Sequence, residues 1–382
     1  MPKVAVFQDY LAQMGGAEQV TESIHRALPG AHLYTTLSVP EKLSPYLRGV
    51  RPNTTWMQAL PAKGKLYRHY FLLYPLAVES VSLNDYDLIV SSCCGYAKGV
   101  KRGPNSVHVC YSHTPMRFVR DFQSYVARER FGRMTRMALR PLVAGLRRWE
   151  KRAARRPDYY IANSRTVAER LRSAFGVDAT VIEPPIFASR FQISREIEDY
   201  YLVLSRLVPY KQIDLAIEAC TRTGRQLVVI GDGPDRARLQ SRAGPTVAFL
   251  GRQPNWIVNC YASRSRALIF PGEEDFGLAP LEVNAAGRPV VAYGAGGATE
   301  TVIEGLNGVL FRRPTAESLI EALEEYESRT WNPEAIRRNA LRYDVGVFQE
   351  RLLNFLSAVA PTVRTLTARQ SATIAPQEAA VG

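Results

Sequence analysis

Ala267-Leu-Ile-Phe-Pro-Gly-Glu-Glu-Asp-Phe-Gly-Leu-Ala-Pro-Leu-Glu282 is the stretch on which the reading of this chain turns. Ala267 to Phe270 is a short run without a polar residue, closed by Pro271 and Gly272. Such a run reads as a strand buried on both faces of a parallel sheet. The acidic loop Glu273-Glu274-Asp275 follows it. Gly277 permits a tight turn, and Pro280 falls where an early helical position tolerates it. Glu282 then lies inside the new helix. The stretch is one strand-loop-helix unit, with Glu274 at its mouth and Glu282 in its first helical turns.

The start of a helix presents unpaired N–H groups and a partial positive charge, a natural seat for phosphate. Carboxylates suit sugar hydroxyls better than phosphates. An acidic group on each side of a phosphate seat therefore suggests a nucleotide sugar, with Glu274 on the sugar and Glu282 on the ribose. The plainer alternative is a solvated acidic loop and an ordinary helix glutamate.

Similar units recur along the chain. In the first half, strand-like runs at Val4–Phe7, His32–Thr35, Asp87–Ser91, Val107–Ser112 and Tyr159–Ala162 alternate with helical patterns such as Ala17–Leu28. In the second half they fall at Tyr201–Leu204, Leu227–Ile230, Val247–Leu250, Ala267–Phe270, Val290–Ala292 and Val309–Phe311. Helices are expected there at about 211–222, 233–243, 278–287, 298–305 and 315–327. This alternation predicts an α/β protein with two doubly wound parallel sheets. The expected domains are residues 1–190 and 191–345, a C-terminal helix at 346–360 packing back on the first domain, and a disordered tail at 361–382.

Composition narrows the setting. The 382 residues are 46% apolar, enough for two full cores. No run approaches the roughly 18 apolar residues of a membrane helix. The chain opens on the strand-like Lys3–Phe7 with nothing resembling a secretory signal. Five cysteines without metal-like spacing fit reduced thiols in a cytoplasm.

The net charge of +13 is unevenly spread. Residues 117–156 hold thirteen Lys and Arg against Asp121, Glu129 and Glu150, with Leu142, Val143, Leu146 and Trp149 interleaved. Lys63, Lys65, Arg68 and His69 beside Tyr67, Tyr70 and Phe71 form a second such patch. Basic segments of this kind lie on anionic membranes. Nucleic acid and a merely solvated helix face are the other readings.

Ligands of open α/β sheets bind beyond the carboxyl ends of strands. Met14-Gly-Gly-Ala-Glu18 follows the first strand, and its paired glycines allow close backbone approach. His113, in Tyr111-Ser-His-Thr-Pro-Met-Arg117, is the histidine best placed for a site. Arg206 and Lys211 flank a turn after Tyr201–Leu204 and could neutralise a diphosphate leaving group. Gly231-Asp-Gly-Pro-Asp-Arg236 starts like a dinucleotide fingerprint, but Arg236 stands where the third glycine belongs. Tyr293-Gly-Ala-Gly-Gly-Ala-Thr-Glu300 reads as another glycine-rich turn suited to phosphate or sugar.

Together, Gly15-Gly16-Ala17-Glu18, His113-Thr114-Pro115, Arg206 with Lys211, Gly231-Asp232-Gly233-Pro234, and Glu274 with Glu282 around Phe276-Gly277 resemble glycosyltransferase family 4. They stand in the family's order over roughly residues 3–355. Tyr111–Phe118 and Ser205–Asp214 look most like bacterial mannosyltransferases that use GDP-mannose and act on polyprenyl-diphosphate-linked sugars in polysaccharide assembly. Glu183 departs from the pattern, where an apolar residue is expected.

The resemblance implies a GT-B fold, two facing Rossmann-like domains with the site in a cleft, and a retaining transfer without metal or cofactor. Arg206 and Lys211 would stabilise the departing diphosphate, with backbone N–H groups near Gly277 and Leu278. Glu274 would hold the donor sugar, Glu282 the ribose, and His113 would lie near the transferred sugar. Gly15, Gly16, Gly233 and Phe276 complete the implied donor site. The implied partners are a nucleotide sugar, a lipid-diphosphate-linked acceptor and the inner face of the cell membrane, with no nucleic acid. Three other readings share parts of the pattern: the same fold with a UDP-sugar, a nicotinamide-dependent dehydrogenase, and a basic binding module without catalysis. A glucan phosphorylase would need a lysine-bound pyridoxal phosphate.

Overall fold

The computed structural model describes residues 2–120 and 133–360. The tail expected to be disordered and residues 121–132 of the basic segment lie outside the described residues. The chain divides into two compact units. One holds the residues up to Asn163, Val167–Ile182 and the segment from Phe348; the other holds Ser164–Thr166 and Glu183–Val347.

The first unit contains β1 (Val4–Gln8), β2 (His32–Thr35), β3 (Asn53–Thr54), β4 (Ser82–Leu83), β5 (Leu88–Cys93), β6 (Lys101–Arg102), β7 (Val107–Ser112), β8 (Tyr159–Ala162) and β9 (Thr180–Val181). Its main sheet is parallel, in the order β3-β2-β1-β5-β7-β8-β9, while β4 and β6 pair separately. The central strands β1 and β5 are buried along their whole length, which is why each opens on an apolar run, Val4–Phe7 and Leu88–Val90. Val6 faces Val90, and Val90 faces Val109, so β-branched side chains stack across three strands.

The helix Val345–Val359 buries Phe348, Leu352, Leu353 and Leu356, a stripe at helical spacing. These join Val4, Val6, Leu88, Val90 and Tyr111 in one core cluster. The Tyr111 and Phe348 rings meet edge to face at 5.9 Å. Gln349 Nε2 donates to the Ser23 carbonyl at 3.1 Å.

On the opposite face lies the helix Arg133–Ala153, which carries much of the basic segment. Val143, Leu146, Trp149 and Ala153 are buried in the core, so most of the described apolar residues interleaved with its charges face inward. Leu142 remains 45% exposed. The Trp149 ring lies over Gly99, where a Cβ would come within 2.6 Å of it, and Trp149 Nε1 donates to Glu79 at 2.8 Å. At the next residue, Glu150 receives a 3.0 Å hydrogen bond from Lys98, with both side chains 2% exposed. Burial alone would lower the Lys98 pKa; Cys93 and Glu150 raise it overall.

The second unit contains β10 (Tyr201–Leu204), β11 (Leu227–Ile230), β12 (Val247–Gly251), β13 (Leu268–Phe270), β14 (Val290–Tyr293) and β15 (Gly308–Phe311). Its parallel sheet runs β12-β11-β10-β13-β14-β15. Three elements differ from expectation. The helix expected at 233–243 is only Arg236–Gln240, and that expected at 298–305 stops at Thr301. There Asn307 takes over, its Oδ1 accepting from the Ile303 N–H at 2.6 Å and its Nδ2 donating to Thr301 and Asn284. The helix Asn255–Arg264 was not expected: it buries only Ala262 fully and leaves Trp256 72% exposed, so it carries no apolar stripe.

The Lys98–Glu150 pair gives a direct stability test. Glu150→Leu leaves a buried ammonium without its carboxylate and should cost about 3–5 kcal/mol. Adding Lys98→Met to that variant should recover most of the loss, measured by urea denaturation.

Candidate active site

The second sheet changes direction between β10 and β13. The chain steps outward from β10 to β11 and β12, then returns to place β13 beside β10. Such a switch point opens a crevice outside the carboxyl ends of its two strands. The loop after β10 carries Arg206 and Lys211, and the loop after β13 carries Glu274. The sequence-predicted cations and first glutamate therefore share one switch point.

The two loops touch. A Cβ at Gly272 would lie 2.8 Å from Lys211 Cα, closer than a side chain can come. The Lys211 ammonium pairs with Glu274 Oε1, with the two side chains 18% and 15% exposed. Arg206 is exposed and makes no ion pair among the described residues. Gln212, directly after Lys211, holds φ at +49°, unusual for a residue with a side chain.

Two glycine-rich turns buttress these loops. Gly297 N–H donates to the Glu274 carbonyl at 2.9 Å, and Glu274 bridges to Gly296. A Cβ on Gly297 would overlap the Phe276 backbone, and one on Gly233 would overlap the Leu207 carbonyl. The close approaches expected of these turns thus include approaches to protein backbone. Phe276 is buried, its ring 5.9 Å from that of Tyr343. Gly277 turns the chain at φ +88°, and Leu278 opens the helix Leu278–Ala285. Glu282 stands on that helix. Burial raises its pKa and the charge of Arg190 lowers it, with burial the larger effect.

In the first unit the switch point lies between β1 and β5. Asp9, at the end of β1, is wholly buried and accepts N–H bonds from Cys94 at 2.7 Å, Tyr96 at 2.9 Å and Ala97, which fix the turn after β5. Burial raises its pKa against those hydrogen bonds and the Lys98 charge. Gly15 caps the helix Gly16–Ala27, and its N–H donates to Glu18 at 3.0 Å. Burial pushes the Glu18 carboxyl up to about 7. Gln13 in the same loop accepts from Tyr67 at 2.9 Å and Arg68 at 3.0 Å.

His113 follows β7. Its ring is 9% exposed, Nε2 lies 2.8 Å from Ser92 Oγ, and Ser92 is 2.9 Å from Thr21 Oγ1. The loop after it is held by the Met116 N–H, which donates to Glu150 at 2.9 Å. Asp9 and Glu150 were not singled out by sequence reasoning. A carboxylate that serves backbone N–H groups leaves no motif. Among the described residues no three His, Cys, Asp or Glu side chains group as metal ligands, and no helix is long and apolar enough to cross a membrane.

Burial lowers the His113 pKa to about 4 and that of His108 to about 3, so both are neutral near pH 7. In the unfolded chain each titrates near 6.5. The unfolded state therefore binds more protons below that value, and stability should fall as pH drops from about 6.5 towards about 4. Thermal melts across that window should show the slope, and His113→Gln should flatten it.

The profile "Glycosyltransferase Family 4" matches residues 14–190, and "Glycosyl transferases group 1" matches residues 187–343. A GDP-mannose-dependent alpha-mannosyltransferase of Mycobacterium tuberculosis is 38% identical over 109 residues, 28% of this chain and 28% of that protein. A glycogen synthase of Pseudomonas aeruginosa is 31% identical over 171 residues, 42% of this chain and 29% of that protein. Each match thus spans under a third of the relative's length. Among solved structures, Anabaena Alr3699/HepE in complex with UDP and glucose superposes with a TM-score of 0.67 at 19% identity, covering 93% of this chain and 100% of that one. A sucrose-phosphate synthase from Thermosynechococcus elongatus gives 0.63 at 18% identity, covering 98% and 100%.

Proposed function

Because the chain belongs to glycosyltransferase family 4 and has the GT-B fold, we propose that it is a retaining, metal-independent hexosyltransferase. It moves mannose from GDP-mannose to a polyprenyl-diphosphate-linked saccharide in polysaccharide assembly. The observation that carries this reading is the meeting of Arg206, Lys211 and Glu274 at one switch point.

The chemistry follows from that set. The bond between hexose C1 and the diphosphate oxygen breaks, and its electron pair leaves with the diphosphate. A new bond forms from C1 to an acceptor hydroxyl oxygen, whose proton passes to the departing diphosphate. Arg206 and Lys211 neutralise the developing charge, with N–H groups at Gly277 and Leu278. Glu274 takes hexose hydroxyls and Glu282 the ribose. His113, neutral at pH 7, offers a hydrogen bond rather than a charge to the hexose. Gly15 and Gly16 are assigned to the diphosphate and acceptor by the resemblance alone.

Mannose rests on the resemblance around His113 and Lys211 and on the mycobacterial relative. A UDP-sugar is the second reading, favoured by the likeness to a protein solved with UDP and glucose. A panel of nucleotide sugars, scored by thermal shift and turnover, separates the two, because a true donor stabilises the native state by mass action. Turnover of UDP-glucose with no use of GDP-mannose would overturn the mannosyl assignment. Lys211→Ala should lower kcat by about 10²–10³ with the fold intact, the scale of one oxyanion donor. Arg206→Ala should behave similarly, and the double variant should lose less than the product of the two.

The acceptor's lipid places the enzyme at the inner face of the membrane, docked through its basic surface. Arg148, Lys151 and Arg152 are exposed and make no ion pair among the described residues. Leu66 and Leu76 are 39% and 63% exposed beside the 63–71 patch. That patch leads into Tyr74–Glu79, which meets the basic helix where Glu79 takes Trp149 and Arg156. Exposed apolar residues among unpaired cations suit an anionic lipid surface. Changing Arg147, Arg148, Lys151 and Arg152 to glutamine should release the protein from anionic vesicles and spare turnover on a short soluble acceptor. Unchanged or salt-insensitive vesicle binding would refute docking by charge.

A further inference from the structure

The cation proposed to take the diphosphate is already occupied. The Lys211 ammonium sits on Glu274, and neither side chain can easily avoid the other. Gly272 brings the loop after β13 against the Lys211 backbone, while the Gly296–Gly297 turn fixes the Glu274 backbone from the other side. Both side chains are more than four-fifths withdrawn from solvent, so water screens their attraction less than at a free surface. Arg206, five residues earlier on the same loop, makes no ion pair among the described residues. The two cations of the proposed phosphate site are therefore held differently.

We propose that Glu274 is an internal competitor for the diphosphate, holding Lys211 in the empty site and reclaiming it after transfer to release the nucleoside diphosphate. This rests on the glycosyltransferase reading above. The logic is an exchange of partners. An arriving nucleotide sugar supplies hydroxyls that satisfy Glu274, which frees Lys211 for the diphosphate. When the hexose leaves with the acceptor, Glu274 loses those hydroxyls while Lys211 still holds the diphosphate. The carboxylate then has no partner as close as Lys211, and re-forming the pair weakens the hold on the product. The same side chain thus favours the nucleotide with its sugar and disfavours it without.

The test is a binding cycle on the full chain with GDP and UDP as probes, by calorimetry. Glu274→Gln keeps the shape and removes the charge. It should bind the nucleoside diphosphate about tenfold more tightly, equivalent to ~1.4 kcal/mol, while kcat falls. Lys211→Met should weaken binding. In the Lys211→Met background, Glu274→Gln should give no tightening, because nothing is left to compete for. Tightening that persists in that background would mean the carboxylate acts by direct repulsion, and would overturn the proposal. So would a Glu274→Gln protein that binds the diphosphate no more tightly than the wild type, with an unchanged melting temperature. A wild-type protein that binds neither GDP nor UDP and turns over no nucleotide sugar would instead refute the underlying enzyme assignment.

Discussion

Backbone meets backbone where β10 and β13 end, and that approach sets the second unit's site. At Gly272 any side chain would strike Lys211 within 2.8 Å. Removing the side chain costs the loop its own packing, yet it brings a cation and a carboxylate from two separate strands together. A parallel sheet makes this possible because its switch point leaves two loop mouths side by side with nothing between them. The turns at Gly233 and Gly297 extend the same device outward, each resting on the neighbouring loop's backbone. Lys211 and Glu274 are thus held by loops packed on one another, while Glu282 comes from the helix Leu278–Ala285.

The first unit solves the same problem with buried charge. Asp9 gathers three backbone N–H groups, and Glu150 gathers Lys98 and the Met116 N–H. Each carboxylate is taken out of water, which is unfavourable unless its oxygens are fully engaged. These bonds make each a strut: one sets the turn after β5, the other the loop that follows His113. Neutral histidines complete the arrangement, since a charged ring at position 113 or 108 would add an uncompensated cation to a dry interior.

Much of this was legible in the sequence. β2, β7, β8, β10 and β11 were readable to the residue; β2 and β7 include polar residues such as His32 and His108, while β10 and β11 are continuously apolar runs of the kind a parallel sheet buries. Arg206, Lys211 and Glu274 were legible because each sits just past such a run. Less legible were features whose cause is distant in sequence. The helix Asn255–Arg264 has no apolar stripe, and Trp149 in a basic helix looked outward until Gly99 supplied its seat. Glu150 was counted as one acid among many bases, when its partner lies 52 residues away. The glycines at 233 and 297 read as ligand contacts, and both also meet protein backbone. A glycine reports that something comes close, not what it is.

The helix Val345–Val359 gives the first unit an unusual order of assembly. Its Phe348, Leu352 and Leu356 complete a core that begins at Val4, so the unit's earliest and latest residues share one interior. During synthesis the second unit is finished while the first still lacks a wall. Until that helix is made, Val6, Val90 and Tyr111 lack the apolar side chains that complete their core. The sheet that is made first therefore closes last.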